Sequence, residues 1–310
     1  MTADKTIDIL STGELLIDFI SNEFVEDLSQ VSQFKRLPGG SPANLCMNMA
    51  RLGNRALLVA CVGEDDMGRF LQSYCSDLGL PAEHIHRLEG IPTTLILVTR
   101  SQEVSNFEAY RSADACLEEQ HFSDELLSTT RLFHTTCFAM SRQPAQSAIV
   151  SAAEKVHQYG GQLSVDANYA AKIWPNRAEA QRLLAHYCSM GALVKISEVD
   201  WERLYGQPLR EAGEVLDHFL QLGAAEVCVT LGGDGCWVAR EAERHFVEAR
   251  AVEVKDTTGA GDAFWSGYLT AWLDGKSLKE RAFAGRSLAE LKLGHFGPLP
   301  NRVGRELLYE

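Results

Sequence analysis

The chain has 310 residues, of which 45% are hydrophobic and 23% charged, and its formal net charge is −13. This balance predicts a single domain over residues 1–310 with a large core, and it excludes a nucleic-acid groove, which needs a basic face. No apolar run is long enough to span a membrane or serve as a signal peptide, so a cytoplasmic protein is expected, and an anionic ligand must be met by local donors and a cation.

The predicted elements follow in chain order. Leu15–Arg36 carries a strand at each end, with no helix between. Residues 39–44, G-G-S-P-A-N, then open a helix, with Ser41 as its cap, Pro42 at a permitted first-turn position and Gly53 as its stop. Capping explains neither the Gly39-Gly40 pair, which lets backbone approach something closely, nor Asn44, an amide on an apolar helix; a polyol ligand suits both. Ala56–Val62 reads as a buried strand and Met67–Leu78 as a helix. Residues 87–111 again lack a crossover helix, and Thr93–Thr99 is β-branched enough for a strand.

Beyond this, strands at Leu132–Thr135, Leu163–Asp166, Leu193–Ile196 and Val227–Thr230 alternate with helices, among them Pro144–Tyr159 and Ala178–Cys188. The alternation predicts an α/β fold with a doubly wound, mostly parallel sheet flanked by helices, in which ligands collect beyond the carboxyl ends of the strands. Asp166, then Ser197 with Glu198, then Thr230 with Gly232, Gly233 and Gly235 fall at such ends. The eight cysteines show no C-x-x-C and the nine histidines no H-E-x-x-H, so buried free thiols are expected and a structural zinc is not.

Residues 256–262 read D-T-T-G-A-G-D and run into an apolar helix. The small residues Gly259, Ala260 and Gly261 let helix-terminal N–H groups approach an anion, which makes a phosphate cradle. Asp262 at its end is placed to take the proton of an attacking hydroxyl, and the segment points to phosphoryl transfer from a nucleotide. The helix terminus is expected to lower the pKa of Asp262 and leave it a weak ground-state base.

These two signatures, G-G-S-P-A-N early and D-T-T-G-A-G-D late, resemble those of the ribokinase-like (PfkB) carbohydrate kinases along essentially the whole chain. Phe107-Glu-Ala-Tyr110-Arg111 with Ala113-Asp114 is similar to a segment of the fructokinase branch. The resemblance implies a small β-sheet lid built from segments of about 15–36 and 87–111, and a homodimer through exposed lid strands. It implies a sugar held by Asp18, Gly39, Gly40 and Asn44, with Asp166, Asn168 and Arg111 also at the substrate. It further implies ATP at Thr230-Leu-Gly232-Gly-Asp-Gly235, with Lys195 and Ser197 nearby, and magnesium (Mg2+) served through water by Glu198 or Asp200. Potassium (K+) held by backbone carbonyls at Asp256 and Thr258 is a further expectation.

In Asp166-Ala-Asn168-Tyr-Ala170 the arginine common in the resembling motif is missing. This disfavours an acidic sugar, whose carboxylate would need a cation, although Lys172 or Arg111 could substitute. The leading expectation is therefore an ATP-dependent kinase acting on the primary hydroxyl of a neutral ketose, most simply fructose. Competing readings are a keto-deoxygluconate kinase, a ribose or nucleoside kinase, an α/β oxidoreductase and a non-catalytic sugar-binding protein. The oxidoreductase lacks its G-x-G-x-x-G after the first strand, where Gly13-Glu-Leu-Leu stands.

Overall fold

Strands that are apolar on both faces must be covered by helices on both sides. The computed structural model of the chain, which describes residues 4–100 and 106–310, realises this as a nine-stranded sheet. β1 (Ile7–Thr12) ends at Gly13, whose φ of +143° turns the chain out of the sheet. β2 (Leu16–Phe24) and β3 (Phe34–Gly39) form an antiparallel pair, and α1 (Ser41–Arg51) leads back to β4 (Ala56–Gly63). Next come α2 (Asp66–Asp77), β5 (Ile85–Leu88), β6 (Leu95–Arg100) and β7 (Phe107–Tyr110).

The regular alternation then runs α3 (Asp124–Ser128), β8 (Thr130–Thr136), α4 (Ala145–Gln158), β9 (Gln162–Asp166), α5 (Arg177–Ser189) and β10 (Leu193–Ser197). It continues through α6 (Glu198–Tyr205), α7 (Ala212–Gln221), β11 (Glu226–Thr230), β12 (Gly235–Arg240) and β13 (Glu243–Glu248). α8 (Ala260–Leu273) and α9 (Leu278–Leu293) close the fold. The sheet order is β13-β12-β11-β10-β9-β8-β1-β4-β5, parallel except for β12 and β13. Ile9, Leu58, Leu132 and Leu193 pack on the side of α1 and α8, whereas Leu10, Val59, Phe133 and Val194 pack on the side of α4, α5 and α7.

β3-β2-β6-β7 make a second, four-stranded sheet. Leu16, Ile20, Ile96 and Val98 form an apolar cluster with Leu37 on one of its faces. The two-residue period of a strand puts Asp18 on that same face, in register with Leu37 and Ile96. Ile17 and Phe19 face the other way, into the cluster containing Met67 and Phe70 of α2. A one-residue slip of β2 would bury Asp18 among those apolar groups, so the register is strongly fixed. The strand expected at Thr93–Thr99 begins instead at Leu95. Thr93 is held by Asp65 and Thr94 by Asp114, side-chain bonds that shape the approach to the strand. Residues 101–105 of the 87–111 segment lie outside the described residues.

Among the described residues, no helix is long and apolar enough to cross a membrane, and all eight cysteines are free thiols. His134 is a buried residue of β8 whose ring meets the Ser164 hydroxyl at 2.9 Å.

Candidate active site

α8 begins where Gly259 takes a left-handed turn, φ +77°, which favours glycine. Ala260 N–H is taken by the Thr257 carbonyl at 3.2 Å, while the helix start leaves the N–H groups of Gly261 and Asp262 without intrahelical acceptors. Asp262 therefore sits at the positive end of a helix, half-buried at the wall of a cleft. Its carboxylate accepts from Ser41 Oγ at 2.7 Å and from Asn44 Nδ2 at 2.9 Å, joining residues 221 and 218 positions apart. The early and late glycine motifs thus meet at one carboxylate.

The expected lowering of the Asp262 pKa is corrected by this environment. Burial raises it, outweighing the bonds from Ser41 and Asn44 and the charge of Lys195. A helix end stabilises an anion by about 0.3–1 kcal/mol at an exposed position, and desolvation in a protein-lined cleft exceeds that. Ser41 is likewise not the cap of α1. Gly40 holds the cap position, the Ser41 hydroxyl is turned to Asp262, and the Glu14 carboxylate accepts Ser41 N–H at 3.1 Å.

What the Gly39-Gly40 pair admits is part of the protein itself. A Cβ on Gly39 would come within 2.1 Å of Asp18 Oδ2, and one on Gly40 within 2.1 Å of the Glu14 carbonyl. Both glycines let β2 and the Glu14 turn press against the start of α1, bringing Asp18 to the cleft. Asp18 belongs to β2, since Gly13 has already ended β1. Burial, then repulsion from Asp262 and Asp256, raises its pKa to about 7.

Behind the cradle, Asp166 at the end of β9 pairs with Lys195 of β10 at 2.7 Å, both buried. Lys195 Nζ lies 3.3 Å from where a Cβ on Gly261 would stand, so larger residues there would crowd the ammonium. Burial acts to lower the Lys195 pKa, but Asp166 and Asp200 overcome it and hold it above the ordinary value. Burial also lifts Asp166 to about 6, against the pull of Lys195. Asn168 turns the chain with φ +31° and donates its N–H to Asp166 Oδ1 at 3.2 Å.

The two acids after β10 divide their work. Asp200 forms a capping box with Ser197, accepting from its N–H at 3.1 Å and its hydroxyl at 2.6 Å, and it also accepts Tyr169 N–H at 2.8 Å. It is buried, with both carboxylate oxygens engaged. Glu198 is exposed, and its Oε1 lies 3.5 Å from where a Cβ on Gly232 would stand, beside the loop that follows Thr230. Gly235 is required by packing: a Cβ there would meet the Val247 carbonyl at 2.1 Å.

Arg111, expected at the substrate, has its guanidinium engaged within the protein. Its guanidinium makes a buried two-pronged pair with Asp114, at 2.8 and 2.5 Å, reaches the Ser141 hydroxyl, and covers the Phe138 ring. Lys172 bonds Glu108 at 2.6 Å on the lid strand β7. Asp256 is buried and accepts Thr258 N–H at 2.9 Å, Gly297 N–H at 3.2 Å and Lys292 Nζ at 3.3 Å. Lys292 and Glu14 are site residues that motif reading passes over. Lys292 carried a signal, because Ala284, Leu288 and Lys292 recur at four-residue spacing and place a cation in an apolar stripe of α9. Glu14 carried none beyond its neighbours.

Asp18, Asn44, Asp256, Thr258, Gly259 and Lys292 line one cleft between the lid and the main sheet. The cleft brings the Asp18 carboxylate to the glycine-rich start of α8. The chain matches the pfkB family of carbohydrate kinases over residues 6–302. It is 33% identical over 299 residues to an ATP-dependent 6-phosphofructokinase of Thermoanaerobacterium thermosaccharolyticum, covering 96% of this chain and 91% of that one. It is 32% identical over 308 residues to fructokinase-1 of rice, Oryza sativa subsp. japonica, covering 95% of each. A double mutant of Vibrio cholerae O395 fructokinase, solved with fructose, ADP and a potassium ion, superposes with a TM-score of 0.84 at 26% identity, over 99% of this chain and 98% of that one. The cleft, the fold that positions it and these likenesses agree, and the chain belongs to the pfkB family of carbohydrate kinases.

Proposed function

We propose that this chain is an ATP-dependent fructokinase, one kinase domain with a lid, that transfers the γ-phosphoryl group to a primary hydroxyl of fructose. The observation that carries the reading is the Asn44–Asp262–Ser41 contact, which puts a base with a raised pKa between the sugar-side helix and the phosphate cradle. Asp18 accepts sugar hydroxyls, and Asn44 exchanges its bond to Asp262 for one to the sugar. Asp262 takes the hydroxyl proton as the sugar oxygen bonds to the γ-phosphorus and the bond to the bridging oxygen of ADP breaks. The N–H groups of Gly259 and Gly261, backed by Lys195, face the phosphoryl oxygens.

Among the described residues, no three His, Cys, Asp or Glu gather to hold a metal directly. That fits magnesium, which keeps several waters, and exposed Glu198 is the side chain to orient them beside the nucleotide loop. Bound Mg2+ would neutralise charge on the ATP phosphates. The exposed lid edge at β7 supports a homodimer, and a cytoplasmic enzyme fits its ATP requirement.

The test is coupled ADP release with ATP and magnesium against fructose, fructose 6-phosphate, ribose, keto-deoxygluconate and nucleosides. Fructose 6-phosphate belongs in the panel because of the 6-phosphofructokinase relative. Turnover highest with fructose is expected, and turnover confined to the phosphorylated or acidic sugar overturns the reading. Asp262→Asn should lower kcat by about 10²–10⁴-fold with nucleotide affinity little changed, as loss of a general base requires.

A further inference from the structure

The resemblance puts a potassium ion beside the phosphate cradle, at Asp256 and Thr258, and the Vibrio relative was solved with one. In this chain a cation already stands beside that place, on the side chain of Asp256. Lys292 Nζ stands 3.3 Å from Asp256 Oδ2 and 3.4 Å from the His295 carbonyl, and the residue is 5% exposed. Its Cε lies 3.7 Å from where a Cβ on Gly259 would be, so the stem runs directly behind the first residue of the cradle. Gly297 and Thr258 donate to the same Asp256 carboxylate. The carboxylate therefore ties α9, the segment after it and the cradle loop around one ammonium.

We infer that the Lys292 ammonium replaces the monovalent metal ion, so that this enzyme works without potassium. An ammonium carries the same unit charge and offers three donors to the oxygens around it. A metal ion on the Asp256 and Thr258 carbonyls would stand beside this ammonium, in a buried place where a second positive charge close by is strongly repelled. A tethered cation also loses no translational freedom when the loop closes on it. Lys292 is a positioning residue: it acts through Asp256 and Gly259 on the cradle and touches neither sugar nor nucleotide.

The turnover arm of the test rests on the kinase reading, whereas the melting arm does not. Wild-type protein with magnesium and ADP should melt at the same temperature in potassium and in tetramethylammonium at equal ionic strength. Lys292→Ala, which vacates room for an ion, should melt higher in potassium, by linkage to a ligand bound only when folded. With fructose and ATP, wild-type kcat should agree within about twofold between the two salts, and Lys292→Ala should fall about tenfold or more in tetramethylammonium and recover in potassium. A general structural weakening would not be restored by the ion. Wild-type protein stabilised or accelerated several-fold by potassium overturns the inference, as does a folded Lys292→Ala that is indifferent to it. If Lys292→Ala does not fold, the wild-type comparison decides alone. If no sugar is turned over, the kinase reading falls and the melting curves still decide this one.

Discussion

Three carboxylates, Asp18, Asp256 and Asp262, face one cleft, and their closeness sets the response to pH. Burial and the two neighbouring charges raise Asp18 to about 7, and burial raises Glu14 to about 8 and Asp166 to about 6. In the unfolded chain such groups lose their protons near pH 4, so between that value and about 7 the folded ligand-free protein binds more protons. Its stability is therefore fully present at low pH and is lost as pH rises through the folded pKa values. The expected outcome is a thermal midpoint that falls from pH 5 to pH 8, at about 2 °C per kcal/mol for a chain of this size, with Asp18→Asn flattening part of the slope. Fructose has the opposite effect, since its hydroxyls donate to the ionised carboxylate, and kcat/KM should rise through about pH 7. At this scale the sequence marked Asp262 because it ends a run of small residues at a helix start, and Asn44 because it is an amide on an apolar helix. Motif reading passed over Glu14, and over Lys292 despite the apolar stripe that carries it. Arg111 and Asp114 stand three residues apart, a pairing that spacing can record, but the Ser141 hydroxyl arrives from a separate segment and no spacing records that.

Elements were easier to read than their ends. Double-sided apolar runs made β4, β8, β9, β10 and β11 plain, and each polar candidate at a strand exit lies at the corresponding strand end. Ser197-x-x-Asp200 was ambiguous because a capping box and an acidic metal shell share the same letters. The structure separates the two acids. Removing Asp200 frees Ser197 N–H and Tyr169 N–H, so Asp200→Ala should cost about 1–3 kcal/mol in urea unfolding while leaving the magnesium dependence of turnover unchanged. Glu198→Gln should do the reverse, keeping stability and raising the magnesium concentration at half-maximal rate several-fold, as loss of a group that orients metal-bound water requires. Equal effects of both variants on magnesium dependence would return the metal role to Asp200. The helix start at residue 41 was misread for a different reason: its cap comes from Glu14, across a turn.

At the scale of the molecule, both sheets are open, and the smaller one carries an exposed aromatic ring on its edge. β3 and β7 are its outer strands, and Tyr110 on β7 is 62% exposed. A paired edge would cover that ring, so Tyr110→Lys should shift sedimentation from dimer to monomer and raise the KM for sugar more than it lowers kcat. A wild-type monomer at micromolar concentration would remove this expectation. The small second sheet was foreseen from two stretches without crossover helices. Finally, Asp262 is gripped by residues 41 and 44, and Asp256 by residues 292 and 297. Ribosomal synthesis delivers the first pair long before the last. The nascent polypeptide can lay down its central strands early, yet it gains a competent centre only when residues 292–297 emerge from the exit tunnel. Premature termination in that last stretch should therefore yield protein that folds in part and phosphorylates nothing.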